Sequence, residues 1–99
     1  MVKHIILWQL REDIEDVARV KADMKRELEA LAEKIEGTVL LRVHTEPLPP
    51  AANADVMLES AFTDADTYAA YIAHPLHQAA ADNYVRPFVR TRLCMDYED

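Results

Sequence analysis

Read as an extended chain, the first ten residues place apolar groups on both sides: His4, Ile6, Trp8 and Leu10 on one, Lys3, Ile5, Leu7 and Gln9 on the other. β-branched and aromatic residues dominate, so a strand is expected over Val2–Leu10, ended by the charged cluster Arg11–Asp13. Hydrocarbon on both faces implies that something covers each of them. The period then changes. Ile14, Val17, Met24, Leu28, Leu31 and Ile35 recur at helical steps, with Lys21, Lys25, Arg26, Glu29 and Glu33 on the opposite side, and Asp13 is the expected N-cap. Gly37, the only glycine, stands where a left-handed residue would end that helix.

Thr38–Glu46 alternates again and predicts a second strand; the three prolines within residues 47–54 predict a loop, and Asp55–Phe62 a third strand. Thr63 and Asp66 have the spacing of a capping box for a helix from Asp64 to about Ala73. Pro75 disfavours helical geometry at His74 yet suits the first position of a new helix, so a second helical piece is expected over Pro75–Tyr84. Pro87 separates it from a last strand, Phe88–Tyr97, with Val89, Thr91, Leu93, Met95 and Tyr97 on one side.

The order is βαββαβ with its second helix split. Right-handed β-α-β crossovers put both helical segments on one side of a four-stranded antiparallel sheet, a ferredoxin-like α+β fold. The other face would then be bare, and Ile5 or Ile6, Val39 or Leu40, and Leu93 or Cys94 place hydrocarbon on it whichever register is adopted. A two-fold homodimer through that sheet face is the simplest closed arrangement. The length of 99 residues allows one core and one domain, 1–99, small enough that burial against a partner would help it.

Composition narrows the class. Hydrophobic residues at 51% and charged ones at 29% describe a globular chain, and the net charge of −7 argues against nucleic acid and anionic membrane as partners. The apolar run Ile5–Trp8 is too short for a signal or a span, and the lone Cys94 forms no internal disulfide, so a cytoplasmic location is expected. Cys94 reads as a small hydrophobe, and Trp8 and Phe62 as core or interface. Arg86, Arg90 and Arg92 either bind an anionic substrate or offset the acidic surplus.

The candidate chemistry lies in YIAHPLH, Tyr71–His77. A neutral imidazole can take a proton from an acidic carbon near neutral pH, and a phenol can donate to the oxygen where charge develops. His77 is the candidate base and Tyr71 the candidate acid, with His4 orienting them or binding a substrate oxygen. The bland alternative is that the same histidines cap helix ends. His74 and His77 at i, i+3 fall short of a metal site, because no cysteine or close glutamate completes a tetrahedral set; no metal or other cofactor is expected.

VKHIILWQL, DVMLESAF, YIAHPLHQAAADNYVRPF and the ending Asp96-Tyr97 resemble the stress-responsive A/B barrel domain family across nearly the whole chain. The resemblance implies a dimeric α+β barrel of two ferredoxin-like subunits. That family includes plant stress proteins of no assigned activity. It also includes polyketide cyclases that close a ring by aldol condensation without a cofactor, in a pocket between the sheet and its helices. The tyrosine and histidine that serve there in proton transfer match Tyr71 and His77, and a pocket histidine matches His4. Barrel dimers that isomerise lactones or act as cofactor-free monooxygenases are similar in fold more than in motif. Two readings stay open: a cofactor-independent lyase, cyclase or isomerase on a small carbonyl compound, or a non-catalytic stress or ligand-binding homodimer.

Overall fold

In the computed structural model, which describes all 99 residues, four strands form one antiparallel sheet. They are β1 (Val2–Leu10), β2 (Thr38–His44), β3 (Val56–Phe62) and β4 (Val89–Glu98), in the spatial order β2-β3-β1-β4. Helix α1 (Val17–Glu29) joins β1 to β2, and the split pair α2 (Ala65–Ala73) and α3 (Pro75–Tyr84) joins β3 to β4. This is the expected ferredoxin-like α+β fold.

Parity along β1 decides which face is covered. Val2, His4, Ile6, Trp8 and Leu10 are buried, while Lys3, Ile5, Leu7 and Gln9 are less so. The register carries that parity across the sheet: His4 lies between Ser60 and Asp96, Ile6 between Leu58 and Cys94, and Trp8 between Val56 and Arg92. Sixteen buried residues form the hydrophobic cluster between this face and the helices, including Met24, Leu28, Phe62 and Tyr71. The opposite face keeps Leu7, Leu93, Met95 and Tyr97 between 38% and 72% exposed.

Helix α1 starts later than the apolar pattern predicts. Asp13 is held by Arg11, whose Nε donates to it at 3.0 Å, and the cap is instead Asp16, which accepts the Arg19 N–H at 3.0 Å. Val17 is consequently exposed and Val20 takes the buried position in the stripe with Met24 and Leu28. After Glu29 the chain tightens into a 3-10 turn, Ala30–Glu33, and Gly37 at φ +86° closes the segment. A Cβ at Gly37 would stand 2.7 Å from the Thr67 side chain, so the position excludes other residues sterically as well as by its dihedral.

The capping box of α2 lies one residue beyond the expected pair. The Thr63 N–H still extends the sheet by donating to the Gly37 carbonyl at 3.2 Å, so the first residue free to cap is Asp64. Its carboxylate accepts the Thr67 N–H at 2.8 Å while its own N–H donates to Thr67 Oγ1 at 3.1 Å. Smaller shifts occur at strand ends. β2 stops at His44, whose partner Met57 is the second residue of β3. Asp55 lies just outside β3, where its N–H donates to the Trp8 carbonyl at 2.9 Å and its carboxylate accepts the Leu10 N–H at 2.8 Å. Phe88 belongs to a 3-10 turn rather than to β4.

Candidate active site

The break at Pro75 determines how the site is wired. Proline has no N–H for the Tyr71 carbonyl, which instead accepts from His74 N–H at 3.1 Å, and His74 adopts an extended conformation. His74 Nδ1 then accepts the Leu76 N–H at 3.1 Å and caps α3. In an unbroken helix that N–H would have bound the Ile72 carbonyl. The freed carbonyl accepts instead from His77 Nδ1 at 3.1 Å and from Gln78 Nε2 at 2.8 Å. Because a carbonyl only accepts, Nδ1 of His77 carries the proton and Nε2 keeps its lone pair.

His77, Tyr71 and His4 line one cavity of about 210 Å³ between the sheet and the α2–α3 cover. Its other walls include Ile6, Trp8 and Leu58 from the sheet and Leu28 from α1. Usual small-molecule pockets begin near ~300 Å³, so this one suits a compound smaller than a typical drug. The Tyr71 ring packs between Phe62 and His77, with centroids 4.8 and 4.5 Å away. Tyr71 is fully buried, and its hydroxyl has no hydrogen-bond partner in the protein. Burial alone pushes the phenol well above its ordinary range, so it remains a proton-bearing donor. Burial also pushes the imidazole of His77 down, as do the charges of Arg86, His4 and Arg92, against the opposing pull of the Ile72 carbonyl. This imidazole is therefore neutral at ordinary pH.

His4 is held differently. Its Nδ1 meets the Asp96 carboxylate, and Tyr68 closes a triangle: its hydroxyl lies 2.9 Å from His4 Nδ1 and donates to the second Asp96 oxygen at 2.7 Å. Burial draws the Asp96 carboxyl up, but the hydrogen bonds from His4 and Tyr68 prevail and it lies below its ordinary value. Burial and the Asp96 charge push Tyr68 upward. An imidazole whose Nδ1 is fixed on a carboxylate has its ring plane set.

Cys94 stands 3.5 Å from both His4 Nδ1 and Asp96 Oδ1. It is exposed on an edge strand rather than tucked away as a small hydrophobe, and the partial desolvation of its sulfur together with the Asp96 charge raises its thiol. His4, Cys94 and Asp96 are the one cluster with three potential metal ligands, one nitrogen, one sulfur and one oxygen within 4.8 Å of one another. Their polar atoms are already engaged with each other. The His74–His77 pair is divided by the break: the former caps α3 at the surface and the latter lines the cavity.

Three contributors to the site, Tyr68, Asp96 and Arg92, lack a sequence signal as clear as the histidines. Tyr68 lies one helical turn before Tyr71. Asp96 and Arg92 reach the covered face only through the register that sets them opposite His4 and Trp8.

Fold and site together define a ferredoxin-like α+β domain with a small His–Tyr cavity under its helices. Residues 2–99 match the family described as "Stress responsive A/B Barrel Domain", and the chain belongs to that family. A dimeric protein with a ferredoxin-like fold from Bacteroides fragilis NCTC 9343 is 33% identical, at a TM-score of 0.88, with 99% of this chain and 95% of that one covered. An Arabidopsis thaliana protein superimposes at a TM-score of 0.83 with 21% identity, covering 100% of this chain and 95% of the other. The hydroxynitrile lyase from Passiflora edulis shares the fold at a TM-score of 0.80 and 14% identity, covering 97% of this chain and 90% of its own. No curated protein matches the sequence. No helix is long and apolar enough to cross a membrane.

Proposed function

We propose that the protein is a cofactor-independent lyase, cyclase or isomerase acting on a small carbonyl compound, with His77 as general base and Tyr71 as acid. One observation carries this: Tyr71, whose buried phenolic O–H has no protein partner, and His77, a neutral imidazole whose Nδ1 is held by the Ile72 carbonyl, line the same small cavity. In the reaction, Nε2 of His77 takes a proton from the carbon next to the carbonyl. The C–H electron pair becomes the enolate, and the Tyr71 hydroxyl donates a hydrogen bond to its oxygen. The enolate then attacks a second carbonyl, expels a leaving group or is reprotonated elsewhere, and the imidazolium returns its proton. His4, fixed by Asp96 and Tyr68, orients the substrate. The same fold carries lyase chemistry in the hydroxynitrile lyase from Passiflora edulis.

Assembly as a homodimer through the open sheet face is part of the proposal. Leu93 and Met95 are 72% and 67% exposed on that face beside Leu7 and Tyr97, an apolar surface of the kind that marks an interface. The Bacteroides fragilis protein is dimeric. Cytoplasmic residence is supported by the free thiol of Cys94.

The test is a screen of small polyketide and lactone substrates against the wild type and His77→Ala. Turnover lost in the variant supports the assignment; turnover unchanged removes His77 as the base.

A further inference from the structure

We infer that Arg92 is the anchor for a carboxylate, so that the cavity takes a small oxo-carboxylic acid with its hydrocarbon inside and its anionic end at the mouth. The inference rests on the cavity being a substrate site and adds the substrate class.

Charge distribution is the starting point. The chain carries 18 acidic and 11 basic side chains, yet the cavity is lined by two guanidinium groups, Arg86 and Arg92, and by no carboxylate. The two arginines differ in what they already hold. Arg86 is paired with Asp82 and reaches Gln78 Oε1 at 3.4 Å. Arg92 pairs with no carboxylate. The nearest acid on its strand face, Asp96, is occupied by His4 and Tyr68. Arg92 is thus the free cation of the lining.

Position and shape then select the ligand. Arg92 lies opposite Trp8 in the β1–β4 register, on the covered face, and is exposed where Trp8 is buried. A ligand held by it meets water at one end and the indole wall at the other. Nine of the thirteen lining residues are hydrophobic, so only one end of the ligand can be charged. A planar guanidinium fork binds a planar carboxylate through two parallel hydrogen bonds. A phosphate dianion would call for a second free cation, and Arg86 is committed to Asp82. The carbonyl, further along the ligand, comes to Tyr71 and His77. Neutralising Arg92 would also relieve part of the positive field that depresses proton affinity at His77, which makes the base stronger once substrate is in place.

Trp8 is the only tryptophan and lines the cavity, so its fluorescence reports occupancy. The probes are 5-oxohexanoate and its uncharged primary amide, titrated into the wild type, Arg92→Gln, Arg92→Lys and His77→Ala. The wild type should prefer the carboxylate by about tenfold, the low end for a charge-assisted hydrogen bond because Arg92 is partly in water. Arg92→Gln should bind both probes alike, Arg92→Lys should fall between, and His77→Ala should keep the preference. Absence of a carboxylate preference in the wild type, or its survival in Arg92→Gln, overturns the anchor. Its failure is separable from that of the catalytic proposal. If no compound turns over but the preference is lost in Arg92→Gln, the anchor stands and the catalysis falls. If turnover depends on His77 while Arg92→Gln leaves KM for the oxo acid unchanged, the reverse holds.

Discussion

Replacing Tyr71 by phenylalanine deletes one oxygen from the middle of the domain, and stability and chemistry should respond in opposite directions. At most buried tyrosines the change removes a hydrogen bond and destabilises by about 1 kcal/mol. Here the hydroxyl is buried without a protein partner, so the folded state already bears the cost of its desolvation, about 1–3 kcal/mol when nothing compensates. The ring itself, packed on Phe62 and His77, is unaffected. Since a water in the cavity can recover part of that cost, Tyr71→Phe should gain about 1 kcal/mol. For a domain of this size that corresponds to a Tm higher by about 4–8 °C. Loss of a donor aimed at a developing oxyanion should meanwhile lower kcat by about 10²–10³-fold. The assay is thermal unfolding by circular dichroism at one fixed protein concentration, because association shifts Tm, paired with turnover of any substrate found in the screen. A variant that melts several degrees lower would show that the hydroxyl is satisfied in the folded state. One that melts higher but turns over normally would show that the phenol takes no part in the chemistry.

Further outcomes follow from the same wiring. Burial holds His77 below its ordinary 6.5 and Tyr71 above its ordinary 10.0, so kcat/KM should stay level between those values and fall only below pH 6.5; an acid limb above 6.5 would contradict the assigned state of the base. Because folded His77 resists protonation, it also contributes stability above pH 6.5 that is lost as pH falls through its lowered pKa. His74→Ala removes the α3 cap, costing about 1 kcal/mol, and returns the Leu76 N–H to compete for the Ile72 carbonyl. Turnover should drop several-fold with KM little changed, although His74 does not line the cavity; unchanged kcat would uncouple the helix break from the tautomer of His77. Leu93→Asp puts a charge on the open sheet face, and analytical ultracentrifugation at micromolar concentration should show wild-type dimers and variant monomers; a monomeric wild type would contradict the interface.

The fold was legible because its signals are local. Alternation marks Val2–Leu10 and Pro75 marks the start of α3, both as the structure has them; the single glycine is left-handed as expected, but α1 ends at Glu29 and its 3-10 extension at Glu33, before Gly37 is reached. What failed was choice among neighbours. Either Asp13 or Asp16 can cap α1, and the ion pair of Arg11 with Asp13 decides it. Thr63 and Asp64 competed in the same way, and the sheet hydrogen bond to Gly37 decided that. Tyr71 and His77 stood out in the Tyr71–His77 segment and His4 through the family resemblance, and the structure brings these three to one cavity while His74 caps α3 instead. Asp96 and Tyr68 did not stand out, and Arg92 could not be told from Arg86 and Arg90, because a strand order does not specify register, and a slip of one residue would have sent Asp96 and Arg92 to the open face.

Proton abstraction by His77 is most directly measured without knowing the natural substrate, as hydrogen–deuterium exchange next to the carbonyl of small ketones and oxo acids in D₂O, followed by proton NMR. The wild type should accelerate exchange in at least one compound that fits the cavity, and His77→Ala should lose about 10²–10⁴-fold of that rate. Exchange at the solvent rate across the whole panel, or equal exchange in both proteins, would contradict it.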